Sequence, residues 1–335
     1  MECYMDKERI KLITEIARLY YENGKTQEEI GEMLGISRIS VLRLLNKARE
    51  EGIVSIKVVD LLSTNRELER ELEREFRLEK AIVVYSDHLP KPLILRELGK
   101  WGSLLLQETV QDGDILGIGW GTTMFECARN LNSSEKKNVI AVPLGGGNGQ
   151  VDPNFQVNEI TRKIANKFKA KWYPLDIPIF VENKNTKYAL FNEPKVMKVI
   201  DLWDRLSIAV VGIGDIASLW EERSSLIALS QEAAEILKEE LVLYGSVGNI
   251  ALNYFNINGN ISPISIRENI ITISLEQLKR AKRVIALSGG EDKKEAVLGA
   301  LRWGYITHLV TDESVAKYLL EISSKLETGM SLTYK

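Results

Sequence analysis

Cysteine is almost missing from this sequence. Across 335 residues only Cys3 and Cys127 occur. Two such residues cannot build a disulfide framework, and neither sits in a metal-ligand spacing, so a reducing, cytoplasmic compartment is expected. Histidine is as scarce. His88 and His308 stand far apart, which argues against a histidine-based metal site or a catalytic triad. No stretch approaches the roughly 18 apolar residues of a membrane span. Residues 1–9 are charged and hold no apolar run of signal-peptide length, so no membrane partner is expected. An excess of one charge is lacking too: Lys plus Arg number 44 and Asp plus Glu 47, for a net charge of −3. That excludes a uniformly basic nucleic-acid binder and leaves a locally basic one open. A hydrophobic content of 44% with 27% charged residues excludes chain-wide disorder. At roughly 100–200 residues per domain the length suggests two or three domains.

What is present divides near residue 60. Before it the pattern is helical, with glycines at the stops. Over residues 6–23, Ile10, Ile13, Ala17, Leu19 and Tyr20 recur near the helical period, and Gly24 ends the run. Thr26 opens Thr-Gln-Glu-Glu, a capping box in which Thr26 covers free amides and Glu29 caps back. The short helix that follows carries Ile30, Met33 and Leu34 and stops at Gly35. Ser37 caps a third helix that runs to about residue 51 and stops at Gly52. Residues 53–59 are β-branched and read as a short strand or wing.

Two helices joined by a short glycine-containing turn make a helix-turn-helix. Its small core would be Ile30, Leu34, Ile36, Val41 and Leu45. The second helix of such a unit enters the major groove. Here it would present Ser37, Arg38, Ser40, Arg43 and Lys47, and residues 37–49 hold four cations and no acid. Residues 1–60 as a whole are close to neutral, so the positive charge is confined to one helix. Arg38, Ser40 and Arg43 are the candidates for base contacts, because arginine reads guanine bidentately. Lys47 and Arg49 are the candidates for phosphate. Thr26 and Gln27 complete the predicted DNA-binding set, and double-stranded operator DNA is the implied partner.

Residues 64–76 form a charged helix whose Leu68, Leu72 and Phe76 make one narrow stripe. It is either a linker that packs lightly or pairs with a partner, or a solvated helix lying on the next domain. From residue 81 short apolar strands alternate with helices. Strands are expected over 81–85, 114–119, 139–144, 208–212, 241–244, 284–287 and 308–310. Helices are expected over 93–110, 122–131, 158–168, 230–240, 275–281, 293–303 and 313–322. That alternation means an α/β domain of parallel strands with crossovers, covered on both faces. The expected boundaries are 1–60 for the helix-turn-helix, 61–76 for the linker helix and 77–335 for the second domain.

Glycine loops close several strands. The strand at 114–119 runs into Gly119-Trp120-Gly121-Thr122-Thr123 and then a helix. Glycine lets an anion approach the backbone, the helix start aims free amides at it, and Thr122 and Thr123 add hydroxyls. A second loop, Ser288-Gly289-Gly290-Glu291-Asp292, opens another helix with Lys293 and Lys294 in its first turn. Lysine there opposes the helix dipole, and a bound anion would remove the penalty. Gly145 and Gly146, Asp215, and Asn249 stand at three further strand ends. Ligands bind outside the carboxyl ends of strands in open α/β sheets, so Gly119, Gly121, Thr122, Thr123, Gly145, Gly146, Asp215, Asn249 and Lys293 form the candidate effector site. The ligand class is a small phosphorylated polar molecule.

With these motifs in this order the chain resembles the SorC family of bacterial sugar-responsive transcription regulators, whose effector domain is also called the DeoR-type sugar-binding domain. The resemblance spans nearly the whole chain. It is carried in the head by Gln27-Glu28-Glu29-Ile30, Ser37-Arg38, Val41-Leu42-Arg43-Leu44-Leu45 and Ala48-Arg49-Glu50-Glu51-Gly52-Ile53-Val54. Further on it rests on Gly117-Ile118-Gly119-Trp120-Gly121-Thr122-Thr123, Gly245-Ser246-Val247-Gly248-Asn249-Ile250, Ser288-Gly289-Gly290-Glu291-Asp292-Lys293, Ala300-Leu301-Arg302 and Leu309-Val310-Thr311-Asp312-Glu313. The resemblance implies a winged-helix-like head and a doubly wound, mainly parallel α/β effector domain similar to the phosphosugar isomerases and deaminases. It implies a phosphorylated sugar as effector, with the phosphate on Thr122, Thr123 and Lys293 and the 145–147 loop nearby. It also implies a homo-oligomer, a tetramer or dimer of dimers, that is released or rearranged on DNA when effector binds; the sequence itself leaves dimer or tetramer, and repressor or activator, open. Two positions depart from the family pattern. Gly119 stands where serine is common, and Gly248-Asn249 stands where Gly-Asp is common, which bears on hydroxyl recognition.

The rival is a phosphosugar isomerase or deaminase that carries a DNA-binding arm. Such chemistry needs a general base beside the sugar. Asp215, Glu291, Asp292, Asp312 and Glu313 are available by type, but none sits in a recognisable acid/base motif. His308 lies in an apolar run, and Cys127 has no histidine partner in view. No enzyme activity, cofactor or metal is expected.

Overall fold

The structure is a computed structural model that describes residues 2–54, 64–86, 89–147, 152–221 and 229–327. The chain divides into two compact units, Met1–Leu61 and Leu62–Lys335. The first holds α1 (Glu2–Tyr21), α2 (Gln27–Leu34) and α3 (Arg38–Glu50). The capping box forms as the sequence requires. Thr26 Oγ1 accepts from the Glu29 amide at 3.2 Å, and the Glu29 carboxylate accepts from the Thr26 amide at 2.8 Å. Gly35 closes α2 in the left-handed region at φ 65°. Gly31 has a separate constraint: a Cβ there would fall 2.7 Å from the Ile36 carbonyl oxygen. The turn between α2 and α3 can therefore fold back onto α2 only over glycine.

Ile16, Ile30, Val41 and Leu45 pack as one small core, beside a second of Ile13, Ala17 and Ala48. The buried face of α1 is thus Ile13, Ile16 and Ala17, while Ile10 is half exposed. Ile53 and Val54 follow α3 without forming a strand, and the rest of the expected wing, 55–59, lies outside the described residues.

The second unit begins with α4 (Arg66–Glu75) and β1 (Lys80–Val84), then α5 (Lys91–Thr109), β2 (Ile115–Ile118), α6 (Thr122–Asn130), β3 (Ile140–Pro143), α7 (Val157–Phe168) and β4 (Lys171–Trp172). It continues through α8 (Lys184–Phe191), α9 (Pro194–Trp203), β5 (Ile208–Gly212), β6 (Gly214–Asp215), α10 (Ala217–Glu221), α11 (Gln231–Leu243), β7 (Ser246–Ile250) and β8 (Asn253–Asn256). α12 (Leu275–Leu278), β9 (Arg283–Leu287), α13 (Lys294–Arg302), β10 (His308–Asp312) and α14 (Glu313–Glu327) complete it. Seven strands form one sheet in the order β1-β10-β9-β5-β2-β3-β4, and every pair is parallel. One face is covered by α5, α6 and α7 through Leu98, Leu106, Met124, Ile160 and Phe168. The other is covered by α4, α9, α13 and α14 through Leu72, Val199, Trp203, Val297 and Leu319. The domain is doubly wound.

One expected strand becomes helix, and other elements stand where none was expected. Residues 241–244 are the end of α11 and the turn after it. Ser230 caps that helix, Leu241 is buried, and Val242 and Leu243 lie about three-quarters exposed, so the apolar run spans two sides of a helix. The strand lies just beyond, in β7, which pairs antiparallel with β8 and β6 in a separate three-stranded sheet. α8 and α9 occupy a stretch where no element was expected.

The helix over 64–76 is an integral part of the second unit. β1 is an edge strand, and α4 covers that edge with its own acids. Glu73 Oε1 accepts from the Ala81 amide at 2.9 Å, and Glu69 Oε1 from the Val83 amide at 3.1 Å. The Asn65 amide donates to the Val83 carbonyl at 2.7 Å. Glu69 is buried and Leu72 fully so. Unpaired edge groups, which would template another strand, are satisfied by side chains instead.

Candidate functional site

On α3 the residues sort by what already holds them. The Ser37 hydroxyl caps α3 by accepting from the Ser40 amide (3.2 Å) and also meets the Ser40 hydroxyl at 2.9 Å. Arg49 donates to Tyr21 Oη at 3.0 and 2.8 Å and lies over that ring. Lys47 pairs with Glu51 at 3.4 Å. Thr26 is engaged in its capping box, and Gln27 is half-buried as the first residue of α2. Arg38 and Arg43 are exposed and make no ion pair among the described residues.

In the second unit the sheet order places the candidate effector site. From β2 the chain steps outward to β3 and β4, whereas β5, β9 and β10 fill the other side. The switch point therefore lies between β2 and β5, where a crevice opens outside the carboxyl ends. β2 ends in Gly119-Trp120-Gly121. The Gly119 amide is spent on the Val210 carbonyl at 2.8 Å, which fixes the loop on β5. Gly121, at φ 110° and ψ 173°, leads into α6 with no side-chain cap. The Phe125 amide donates to the Gly121 carbonyl at 2.9 Å, so the amides of Thr122, Thr123 and Met124 precede the first helical bond and point outward. Thr122 is exposed and Thr123 half-buried.

β9 ends in the matching loop. Gly290 takes φ 109° and ψ 152°, close to the conformation of Gly121, and leads through a single 3-10 turn into α13. Its amide donates to the buried Asp312 carboxylate, which also accepts from Ser86 Oγ at 3.0 Å. Lys293 closes the turn. Its ammonium donates to the Asp215 carboxylate and lies 3.4 Å from Ser218 Oγ. Asp215 Oδ1 also accepts from the Ser218 amide at 2.7 Å. Burial pushes the Asp215 carboxyl up, but the hydrogen bonds from Lys293 and Ser218 outweigh it and hold the group below the ordinary carboxylate range. The positive charge at this helix start is thus answered within the protein, by a carboxylate on the neighbouring strand end. Lys294 pairs with Glu291 instead.

The structure therefore brings Gly121, Thr122, Thr123, Asp215 and Lys293 to the carboxyl ends of three neighbouring strands, β2, β5 and β9. Asn249 joins them from β7, where it pairs with Gly214. Its side chain accepts from the Leu252 amide at 3.3 Å and so also supports the β7–β8 turn. Gly145 and Gly146 are placed differently. Gly145 bridges to Thr272, and the Gly146 amide donates to Ile271 at 2.9 Å. A Cβ on Gly146 would fall 2.6 Å from the Pro178 carbonyl oxygen, so close backbone packing accounts for that glycine. A cavity of about 340 Å³ opens beside Asp215, lined by Ile216, Ser246, Asp292, Lys294 and Tyr318 among others. Ser218 and Tyr318 carry no motif, and only the fold reveals them; Ser246 stands in the 245–250 motif but is not among the candidate site residues. His308 is buried in β10 with Nδ1 2.8 Å from Thr307 Oγ1, and burial pushes the Cys127 thiol up to about 12.

Comparison with known proteins agrees with both units. Residues 61–321 match the family model described as "Putative sugar-binding domain", and residues 14–51 match that of sigma-70 region 4. The sorbitol operon regulator of Klebsiella pneumoniae is 32% identical over 314 residues, which cover 93% of this chain and 98% of that one. Its full-length crystal structure aligns with a TM-score of 0.75. The deoxyribonucleoside regulator of Bacillus subtilis (strain 168) is 32% identical over 94% of this chain and 99% of its own. The fold and the two units define a DNA-binding transcriptional regulator with a sugar-binding effector domain. The chain belongs to the SorC family of such regulators.

Proposed function

We propose that the chain regulates sugar-metabolism genes as a homo-oligomer whose operator affinity is set by a phosphorylated sugar. Helix-turn-helix heads paired by the oligomer, dimer or tetramer, would meet a palindromic operator with matching half-site spacing. Arg38 and Arg43 are the base-reading candidates because no ion pair among the described residues holds them, whereas Lys47 and Arg49 suit phosphate. The observation that carries the effector proposal is the pair of loops on β2 and β9 with one backbone conformation at Gly121 and Gly290, and Lys293 beside them. The phosphate would occupy the open amides of α6 with the Thr122 and Thr123 hydroxyls. Its negative charge would draw Lys293 from Asp215, freeing that carboxylate to accept from sugar hydroxyls beside Asn249. A ligand that binds one quaternary state better than another shifts the population toward it. Two relatives are named for sorbitol and deoxyribonucleoside regulation, so sugars and polyols of that size are the first to try. The relatives are named as regulators, and no group at the site favours catalysis over binding.

The test measures the affinity of the full-length protein for an enriched operator duplex by fluorescence anisotropy, with a panel of sugar phosphates and their unphosphorylated parents. One sugar phosphate should change affinity about tenfold or more, the usual scale of allosteric coupling, while its parent sugar does not. Unchanged affinity and unchanged melting temperature across the panel would sink the phosphosugar assignment.

A further inference from the structure

We infer that Ile39 and Leu42 are specificity-determining residues that read thymine methyl groups, so that the half-site under α3 contains A·T pairs at its centre. The inference rests on α3 entering the major groove and goes beyond that assignment by naming what it reads there.

Ile39 is 78% exposed and Leu42 45% exposed, on a helix whose other face supplies Val41, Leu45 and Ala48 to the core. A single exposed apolar residue is ordinary and needs no explanation; the position of these two does. Ile39, Leu42, Arg43 and Asn46 follow i, i+3, i+4 and i+7, the spacing of one helix face, opposite the buried one. All four are exposed. Arg38 and Lys47 stand on either side of this face at the helical period. The exposed surface therefore has an apolar and amide stretch of Ile39, Leu42 and Asn46, bordered by Arg38 on one side and by Arg43 and Lys47 on the other, with no acid anywhere in residues 37–49. That matches the cross-section of a major groove: phosphates on both walls, base edges on the floor.

The chemistry of the floor names the occupant. Among the four bases only thymine presents a methyl group in the major groove, where apolar side chains meet it. A G·C pair offers Ile39 and Leu42 no methyl group, and contact with its N7, O6 and N4 groups would desolvate them without compensation. Asn46, on the same face, suits the N6 and N7 edge of adenine. One side of the helix thus carries the chemistry for both members of an A·T pair. Ile39, as the second residue of α3, lies in the turn that such helices direct at base edges.

The experiment selects duplexes from a random pool with the full-length protein and then rebuilds the enriched duplex with deoxyuridine in place of single thymidines. Uracil pairs as thymine does and lacks only the methyl group. Within each half-site at least one replacement should weaken binding by the wild-type chain about fourfold, the weight of burying one methyl group. Ile39→Ala or Leu42→Ala should weaken binding to the thymidine duplex by a similar factor and abolish the sensitivity at the matching position. Both variants should bind an unselected duplex as the wild type does, because phosphate contacts are untouched. Exposed side chains contribute little to folding, and circular dichroism of each variant confirms that the fold is kept. The inference is overturned if no deoxyuridine replacement matters, or if both variants keep the full wild-type sensitivity. Failure to enrich any duplex would overturn the DNA-binding assignment itself and this inference with it.

Discussion

Lys293 shows how far a residue type and its position reach. Lysine at a helix start beside two glycines suggests an anion-binding loop, yet the sequence does not disclose that Asp215, from another strand end, already holds it. Lys293→Ala should therefore do two things. Operator binding should persist without effector response, and the domain should lose on the order of 3 kcal/mol because Asp215 stays buried without its cation. The double variant Asp215→Asn with Lys293→Met removes both charges. It should recover much of the loss in urea unfolding while remaining unresponsive. Arg43→Ala should do the reverse, weakening operator binding while sugar-phosphate binding by calorimetry is unchanged. His308 supplies a pH prediction. Burial pushes its pKa down, and the attraction of Glu79 does not compensate. The unfolded ring titrates near about 6.5, so below that value the unfolded chain takes up a proton that the folded ring resists. The stability linked to His308 is thus full above about pH 6.5 and is lost as pH falls through that value toward the folded one. His308→Gln should flatten the difference in urea midpoint between pH 7.5 and pH 5; an unchanged slope would assign the effect elsewhere.

At the scale of elements, caps and glycines were the legible signals. Thr26 with Glu29, Ser37 and Gly35 gave the helix-turn-helix nearly to the residue, because capping is local chemistry. Thr26→Ala should cost about 1 kcal/mol, read as faster amide exchange along α2. Strands buried on both faces were legible as apolar runs, as in β5 and β9. The β6–β7–β8 sheet was not: β6 is two residues long, and β7 reads Ser-Val-Gly-Asn-Ile, small and polar. Its pairing is set by tertiary neighbours such as Asn249 against Gly214. The role of α4 was hidden for a similar reason. Its stripe of Leu68, Leu72 and Phe76 was visible, but Glu69 and Glu73 looked like solvated charges until β1 was placed beside them. Glu69→Ala leaves the Val83 amide unpaired in a buried edge and should cost roughly 1–3 kcal/mol, measured by urea unfolding. A cost near zero would mean that α4 only lies on the surface.

For the whole molecule, a net charge of −3 conceals one basic helix among near-neutral surroundings, and that local excess is where the proposal places the DNA contacts. The sheet order was beyond reach of the sequence, since β1 at one edge and β2 near the other side are consecutive in the chain. Yet this order sets the loops of β2, β5 and β9 side by side, and so brings together the proposed effector residues scattered between Gly119 and Lys293. The most direct test of the account is a crystal structure grown with the sugar phosphate that changes operator affinity. The account predicts the phosphate on the amides of Thr122 and Thr123, with Lys293 drawn from Asp215 toward it. A phosphate seated elsewhere, for instance in the cavity of about 390 Å³ lined by Gln156, Asn158 and Arg162, with the Lys293–Asp215 pair intact, would contradict it.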